Sequence, residues 1–217
     1  MRLYLFPAGR AIGVLALRAH LALECEVQLV DFRRGEQLSP QYLALNPNRK
    51  MPTLEDDGLV LWESNAILFY MAAKQPQSGL WPGELHAQAD VLRWLAWQGA
   101  HWDAESCGMV SYEKASKAGL GPPDPAFSAR GEQNFLRFAA VLNGSLKGRT
   151  WLVGERLTIA DFSVGGVVPS AEHMQLPIGE FPEICRWYMG LNRLPAWQDT
   201  LATRDAFLAG WKSQKAD

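Results

Sequence analysis

The stretch KMPTL (residues 50–54), followed by Glu63-Ser64 at the head of an apolar helical pattern, carries most of the information about the fold. Pro52 has no N–H, so as the first residue of a strand it marks a place where the sheet ends or another segment docks. If the Met51-Pro52 bond is cis, the N–H and C=O of Met51 face outward, where an extended peptide can pair with them as an added strand. A trans proline that merely starts a strand is the alternative. We predict a peptide-binding edge at Met51.

A hairpin and a helix follow this edge. Asp57-Gly58 is a typical hairpin turn and predicts paired strands at Thr53–Asp56 and Leu59–Trp62. Ser64 then precedes an apolar run and is predicted to cap its helix.

The predicted helix start provides two further binding features. The free N–H groups and partial positive charge of a helix N-terminus suit a carboxylate. Glu63, directly before Ser64, offers a negative charge to an ammonium group. The site therefore suits a peptide that carries both groups, whereas a purely structural cap is the alternative for Ser64.

Three segments, in this order, resemble the glutathione transferase family. Asn46–Leu54 resembles the family's Asn-Pro-x-Gly-Lys-x-Pro-x-Leu segment, and Glu63–Ile67 resembles its Glu-Ser-x-Ala-Ile. Leu152–Gly154, followed by Thr158–Asp161, resembles the signature of its second domain. The resemblance covers nearly the whole chain. It implies an α/β, thioredoxin-like, glutathione-binding domain at residues 1–77 and an all-helical domain, lining the co-substrate pocket, at residues 86–217.

The resemblance also implies a function. Glutathione is expected as co-substrate, its thiolate being conjugated to a small apolar electrophile, with no metal cofactor. The family's dimerisation implies a homodimer. The residues expected to bind glutathione are Lys50, Met51, Pro52, Glu63 and Ser64.

The first part of the chain alternates strand and helix patterns. Strand–helix–strand connections favour parallel pairing with a right-handed crossover, and the closing hairpin adds an antiparallel edge. Periodicity thus predicts a thioredoxin-like β-α-β-α-β-β-α order. Its predicted elements before the hairpin are Arg2–Phe6, Arg10 to about Glu24, Glu26–Phe32 and Pro40–Leu45; the helix after the hairpin runs from Asn65 to about Lys74.

The linker Gln75–Gly83 separates this part from a helical remainder, because its Pro, Gly and Ser residues break both periods. Thr158 and Asp161 form a predicted capping box at the start of one of the later helices. The predicted later elements are helices from His86 to about Lys117, at Ala126–Leu146, from Ile159, from about Pro182 to Leu191 and from Ala196, with a loop at Gly119–Pro125.

The loop that opens the first helix lacks the hydroxyl or thiol that family members use to activate glutathione. Gly9 stands where the pattern Phe-Pro-x-Ser-Arg-Ala has its serine, and Tyr4 lies inside the predicted strand. The thiolate is the nucleophile, so something must stabilise it. The candidates for this catalytic role are the Arg10 cation and the N–H groups of Gly9 and Arg10, aided by the helix dipole. An exposed first-turn residue is the alternative for Arg10.

The predicted long helix supplies candidates for an apolar co-substrate pocket. They are His101, Trp102 and Cys107, with Tyr112 nearby. Each has a simpler interpretation, since a lone His is usually hydrogen-bonded packing and a buried Cys is usually inert.

Composition and charge exclude several classes of protein. The 217 residues are 48% hydrophobic and 20% charged, which is typical of a globular protein. A formal net charge of −2 with scattered Lys and Arg gives no footprint for nucleic acid or an anionic membrane. Three distant cysteines fit a reducing compartment, and the N-terminus has no signal-peptide pattern, so we expect a cytoplasmic protein.

Two other functions remain open from the sequence. The missing hydroxyl favours a glutathione-binding carrier or interaction module with little or no transferase activity. Glutathione-dependent reduction or lyase chemistry at the same site is the other.

Overall fold

The computed structural model describes residues 1–111 and 124–213. The chain forms two units, one made of residues 1–78 together with 192–217, and the other of residues 79–191.

A four-stranded mixed sheet forms the centre of the first unit. Its strands are β1 (Arg2–Leu5), β2 (Glu26–Leu29), β3 (Thr53–Asp56) and β4 (Leu59–Trp62), in the order β2-β1-β3-β4. β1 pairs in parallel with β2 and antiparallel with β3, which pairs antiparallel with β4. The predicted hairpin is confirmed with its bounds.

Two helices connect these strands and a third follows the hairpin, in the predicted order. They are α1 (Ala11–His20), α2 (Pro40–Leu45) and α3 (Ser64–Ala73), and short 3₁₀ turns lie at Phe32–Arg34, Glu36–Leu38 and Pro76–Ser78. The thioredoxin-like arrangement is therefore confirmed. α1 ends earlier than predicted, and Ala22 just beyond it has a left-handed φ of 49° that a continuing helix cannot accommodate.

The C-terminal helix also belongs to the first unit. This helix, α9 (Pro195–Ser213), packs against α1, and its Trp197 is fully buried. The predicted boundaries placed this helix in the second domain of residues 86–217, whereas the structure groups it with residues 1–78.

Every regular element described in the second unit is a helix. α4 (Leu85–Trp97) continues into a π-helical segment at Gln98–Cys107 and a further helical stretch at 108–111. The predicted helix extended to Lys117 and the predicted loop began at Gly119, but residues 112–123, including Tyr112, lie outside the described residues. The remaining helices are α5 (Pro125–Ser145), α6 (Ile159–Gly165), α7 (Val168–His173) and α8 (Pro182–Leu191), with a 3₁₀ turn at Ile178–Glu180.

Close packing of α5 on the π-helical segment depends on Gly131. A Cβ added at this position would lie 2.8 Å from the Met109 Cβ and 3.0 Å from the Ser106 carbonyl oxygen. The first distance is too short for a larger residue without a shift of the chain, and the second is tight, so a larger side chain at position 131 would require the two helical segments to move.

The Asp161 carboxylate connects three parts of the second unit while fully buried. Its Oδ1 accepts from the Leu152 N–H at 3.0 Å and from Trp187 Nε1 at 2.9 Å. Its Oδ2 accepts from the Thr158 N–H at 2.9 Å, which confirms the predicted capping box. Burial raises the pKa of Asp161 to about 6, although these hydrogen bonds act to lower it. The residue holds α6, α8 and the preceding loop together.

Replacing Asp161 tests this arrangement. Asp161→Ala leaves three buried donors without an acceptor, so we expect it to lower the free energy of unfolding by about 3–5 kcal/mol. Asp161→Asn keeps one oxygen, which can accept from the Leu152 N–H and from Trp187 Nε1. It should therefore lower the free energy of unfolding clearly less than Asp161→Ala does. Chemical denaturation followed by circular dichroism measures both. Equal losses in the two variants would contradict the role of the hydrogen bonds.

Candidate functional site

The predicted peptide-binding edge lies at the start of β3. The Met51-Pro52 peptide bond is cis. The Met51 main chain forms no hydrogen bond with the described residues. Its side chain packs against the buried cluster of Tyr4, Val30 and Tyr42. Met51 is thus anchored by its side chain, and its N–H and C=O remain for another partner.

A buried hydrogen-bond network fixes the loop before this edge. The Lys50 carbonyl accepts from the Tyr42 hydroxyl at 2.7 Å and from Asn46 Nδ2 at 2.8 Å. Both groups also lie 3.0 Å from the Thr53 hydroxyl oxygen. Tyr42, Asn46 and Thr53 are buried. Sequence reasoning missed this network, because it assigned Asn46-Pro47 only to the end of α2.

The two cations of this loop remain on the surface. Asn46 Oδ1 accepts from the Asn48 N–H at 3.0 Å, and Arg49 follows with a left-handed φ of 60°. The side chains of Arg49 and Lys50 are exposed. The fold therefore fixes the main chain here and leaves both charges at the solvent.

The start of α3 differs from the predicted cap by one residue. Ser64 is the first helical residue and is buried, whereas Glu63 occupies the cap position without a side-chain capping bond. Glu63 has a φ of 72°, a left-handed conformation that a side chain disfavours. Strain of this kind is often found at functional sites, because the surrounding structure must impose it. The first turn of α3 receives no side-chain cap, so its N–H groups suit an anionic ligand.

The loop that opens α1 explains the missing hydroxyl. Gly9 has a φ of 57°, and a Cβ added there would meet nothing within 4 Å. Space is thus available, but a left-handed conformation costs an L-residue about 1–2 kcal/mol. Glycine suits the backbone of this turn, and a serine would be strained at the same position.

Arg10 and Glu63 lie side by side. Arg10 Nη1 is 3.9 Å from Glu63 Oε2, with side chains that are 31% and 56% exposed. The structure therefore joins the α1 loop to the start of α3, two segments that the sequence separates by more than fifty residues. The sequence predicts that each of these side chains contacts a different group of one ligand: Glu63 the ammonium group and Arg10 the thiolate.

Tyr4 does not supply a hydroxyl to the loop. Its hydroxyl donates to Glu55 Oε2 at 2.8 Å, and its ring packs edge-on against Tyr42. Burial raises the pKa of the Tyr4 phenol, and the Glu55 hydrogen bond acts in the same direction. Tyr4 is therefore a neutral donor committed to the sheet.

The three co-substrate candidates of the second unit have different environments. Trp102 is 0% exposed, stacks on Phe135 and donates from Nε1 to the Val164 carbonyl at 3.2 Å. Cys107 is 1% exposed, and burial raises the pKa of its thiol to about 12, so the thiol is inert. These two residues form core rather than open surface. His101 is half-exposed, with Nδ1 at 3.7 Å from Glu105 Oε2.

The part of the chain that the structure describes has neither a metal-binding cluster nor a membrane-spanning helix. Within residues 1–111 and 124–213, no three His, Cys, Asp or Glu side chains are grouped to hold a metal ion. No helix in those ranges combines the length and apolar character needed to span a bilayer.

Comparison with protein families gives two matches. Residues 1–73 match the family described as the glutathione S-transferase N-terminal domain, and residues 126–195 match its C-terminal domain. The chain is also similar to glutathione S-transferase D7 of Drosophila melanogaster. The two are 31% identical over 200 residues, which cover 90% of this chain and 84% of the Drosophila protein.

Solved structures show the same similarity. A glutathione transferase from Pseudomonas putida, with one glutathione disulfide bound per subunit, has a TM-score of 0.82 and 28% identity; the match covers 92% of this chain and 90% of that one. A glutathione transferase from Phanerochaete chrysosporium, solved with oxidized glutathione, has a TM-score of 0.85 and 28% identity over 96% of both chains.

The Asn46 network makes a testable contribution to the loop. Asn46→Asp keeps the acceptor for Asn48 but replaces the donor to Lys50 and Thr53 with an oxygen. We expect it to lower the free energy of unfolding by about 2–4 kcal/mol, because buried acceptors then lose their donor and face a charge. Lys50→Gln, at an exposed side chain of the same loop, is the control and should cost little. Urea denaturation compares them; similar midpoints for both variants would contradict the network's role.

Proposed function

Because the chain belongs to the glutathione S-transferase family, we propose that it binds glutathione and conjugates the glutathione thiolate to a small apolar electrophile. The observation that carries this proposal is the uncapped first turn of α3, with Glu63 held in a left-handed conformation beside the buried Ser64. Structures of similar fold were solved with glutathione disulfide, which supports the same ligand for this chain.

The proposed binding mode uses three parts of the first unit. The Met51 main chain pairs with the cysteinyl residue of glutathione as an added strand, next to Pro52. Ser64 and the α3 N-terminus receive the γ-glutamyl carboxylate, and Glu63 receives its ammonium group. Lys50 binds the glycine carboxylate, since its side chain is exposed and can reach a ligand at the surface.

The proposed catalytic elements are Arg10 and the N–H of Gly9. A cation and a helix N-terminus lower the pKa of a thiol. Residues 7–10, which open α1, contain no hydroxyl side chain that could stabilise the thiolate instead. Arg10 also faces the Glu63 carboxylate, so its charge is shared between two anions. We therefore expect low transferase activity. His101 remains a proposed wall of the co-substrate pocket, whereas Trp102 and Cys107 would act only through their packing.

A glutathione-binding module without chemistry is the second candidate. The observation that favours it is the pairing of Arg10 with Glu63, because a cation that also faces a carboxylate activates a thiol less. The thiol pKa of bound glutathione separates the two functions, since a module without chemistry leaves it unshifted. For either function we propose a cytoplasmic location, and for the enzyme a role in detoxification.

Glutathione binding is tested at Ser64. Ser64→Ala removes one charge-assisted hydrogen bond, so we expect the Kd of glutathione to rise about ten- to a hundredfold, with little change in Tm. Isothermal titration calorimetry measures the Kd. Ser78→Ala is the control, because Ser78 lies in the 3₁₀ turn that follows α3, away from the start of that helix. No binding of glutathione to the unmodified chain would overturn the proposal.

Thiol activation is tested at Arg10. Arg10→Ala should raise the pKa of bound glutathione by about one unit, measured by thiolate absorbance, and lower turnover of chlorodinitrobenzene about tenfold. Arg10→Lys retains the charge and should show a smaller shift. If instead the Kd of glutathione rises and the thiol pKa stays constant, Arg10 only positions Glu63.

Assembly into a homodimer is the last part of the proposal. Each unit exposes large apolar side chains, which the family's dimerisation would bury: Trp62 and Phe69 in the first, Leu85 and Leu92 in the second. We expect light scattering to give twice the chain mass of 24.2 kDa at micromolar concentration. Phe69→Glu should shift the protein to monomer, whereas the monomeric mass for the unmodified chain would contradict the dimer.

A further inference from the structure

Met51 has surroundings that set it apart from the other methionines of the chain. Three of the six methionines are buried, and Met189 in α8 is 55% exposed. Met51 lies between these extremes. Its side chain is partly buried and packs against a buried cluster, which consists of Tyr4, Val30 and Tyr42. Met51 therefore joins a core cluster, through its side chain, to the proposed peptide-binding edge, through its main chain.

A partly exposed thioether is open to oxidation by a hydroperoxide. The sulfur lone pair attacks the terminal oxygen of the hydroperoxide, and the O–O bond breaks. The proton of that oxygen passes to the leaving oxygen, which departs as water or an alcohol. Sulfur is oxidised by two electrons to the sulfoxide, and the hydroperoxide is reduced by the same two electrons. An apolar side chain thus becomes a polar one with a strong acceptor oxygen.

The donors of the cluster around Met51 are already committed to other acceptors. The Tyr4 hydroxyl donates to Glu55 Oε2 at 2.8 Å, and the Tyr42 hydroxyl donates to the Lys50 carbonyl at 2.7 Å. A phenol carries a single hydrogen, so each has given its own. A sulfoxide oxygen at Met51 therefore either takes the Tyr42 hydrogen from the Lys50 carbonyl or carries the side chain out to water.

Both outcomes disturb the main chain that is proposed to pair with the peptide. Loss of the Tyr42 hydrogen bond releases the Lys50 carbonyl directly before Met51. Departure of the Met51 side chain removes its packing against the cluster and leaves a gap there. A sulfoxide that stays in place without a donor carries the cost of a buried unpaired acceptor. In every case the oxidised chain holds the edge less firmly.

We propose that Met51 is an oxidation site through which hydroperoxides weaken the binding of glutathione. This role rests on the proposed function, because glutathione is the proposed ligand of the edge, whereas the coupling of the Met51 sulfur to the loop does not. The modification is reversible, since methionine sulfoxide reductases restore the thioether. Met51 is thus a positioning residue whose redox state sets the affinity of the site.

Treatment of the whole chain with hydrogen peroxide tests the proposal. Peptide mass spectrometry should find the sulfoxide at Met51 and at the exposed Met189, with little at the buried Met71. After removal of the peroxide, the Kd of glutathione should be about five- to thirtyfold higher by isothermal titration calorimetry, and the Tm should be lower. Incubation with methionine sulfoxide reductases specific for each of the two epimers should restore both values.

Three variants assign the effect to one sulfur. For the first two, the Kd after treatment is divided by the Kd of the same variant before treatment. Met51→Leu should give a ratio near one, because leucine has no sulfur to oxidise. Met189→Leu is the matched control and should give the ratio of the unmodified chain. Met51→Gln introduces a polar side chain of similar length, so it should raise the Kd and lower the Tm without any oxidant.

Several results would contradict this role of Met51. They are an unoxidised Met51 under conditions that oxidise Met189, an unchanged Kd in the chain with the sulfoxide at Met51, and the same ratio for Met51→Leu as for the unmodified chain. Recovery of the Kd with dithiothreitol, which reduces oxidised cysteines and leaves the sulfoxide, would assign the effect to a cysteine. If the untreated chain does not bind glutathione, the proposed function fails, and an unchanged Tm of the oxidised chain then refutes the coupling separately.

Discussion

The candidate site depends on two hydrogen bonds to the Lys50 carbonyl oxygen. The buried Tyr42 hydroxyl donates one and the buried Asn46 amide donates the other. These two donors fix the chain immediately before Met51, and the Thr53 hydroxyl extends the same network into the sheet. Buried polar networks of this kind are rigid when every member is satisfied. The edge that is proposed to pair with a peptide is therefore set before any ligand arrives.

Two further residues of the candidate site, Gly9 and Glu63, have left-handed conformations. Gly9 has this conformation at little cost, which favours glycine over a hydroxyl-bearing residue at this position. Glu63 has it with a side chain, and the ion pair with Arg10 lies at the same point. Glu63 thus has a strained conformation at the position that is proposed to bind the ammonium group, whereas Gly9 adopts its turn without a side chain.

The second unit is organised in a comparable way around Asp161. Its two oxygens accept from the loop at Leu152, from the start of α6 and from Trp187 in α8. The capping box alone is a local motif, and it was found from Thr158 and Asp161 in the sequence. The additional donors, the Leu152 N–H and Trp187 Nε1, connect the cap of α6 to the preceding loop and to α8. This is why we expect a loss of stability larger than that of a simple cap.

Features that short-range rules control could be predicted from the amino-acid sequence alone. Asp57-Gly58 set the hairpin, the capping box set the start of α6, and the alternation of patterns set the thioredoxin-like order. The tertiary structure alone decided the partner of Arg10, the burial of Trp102 and the attachment of α9 to the first unit. Each of these depends on residues far apart in the chain, and local periodicity contains no information on which distant surfaces meet.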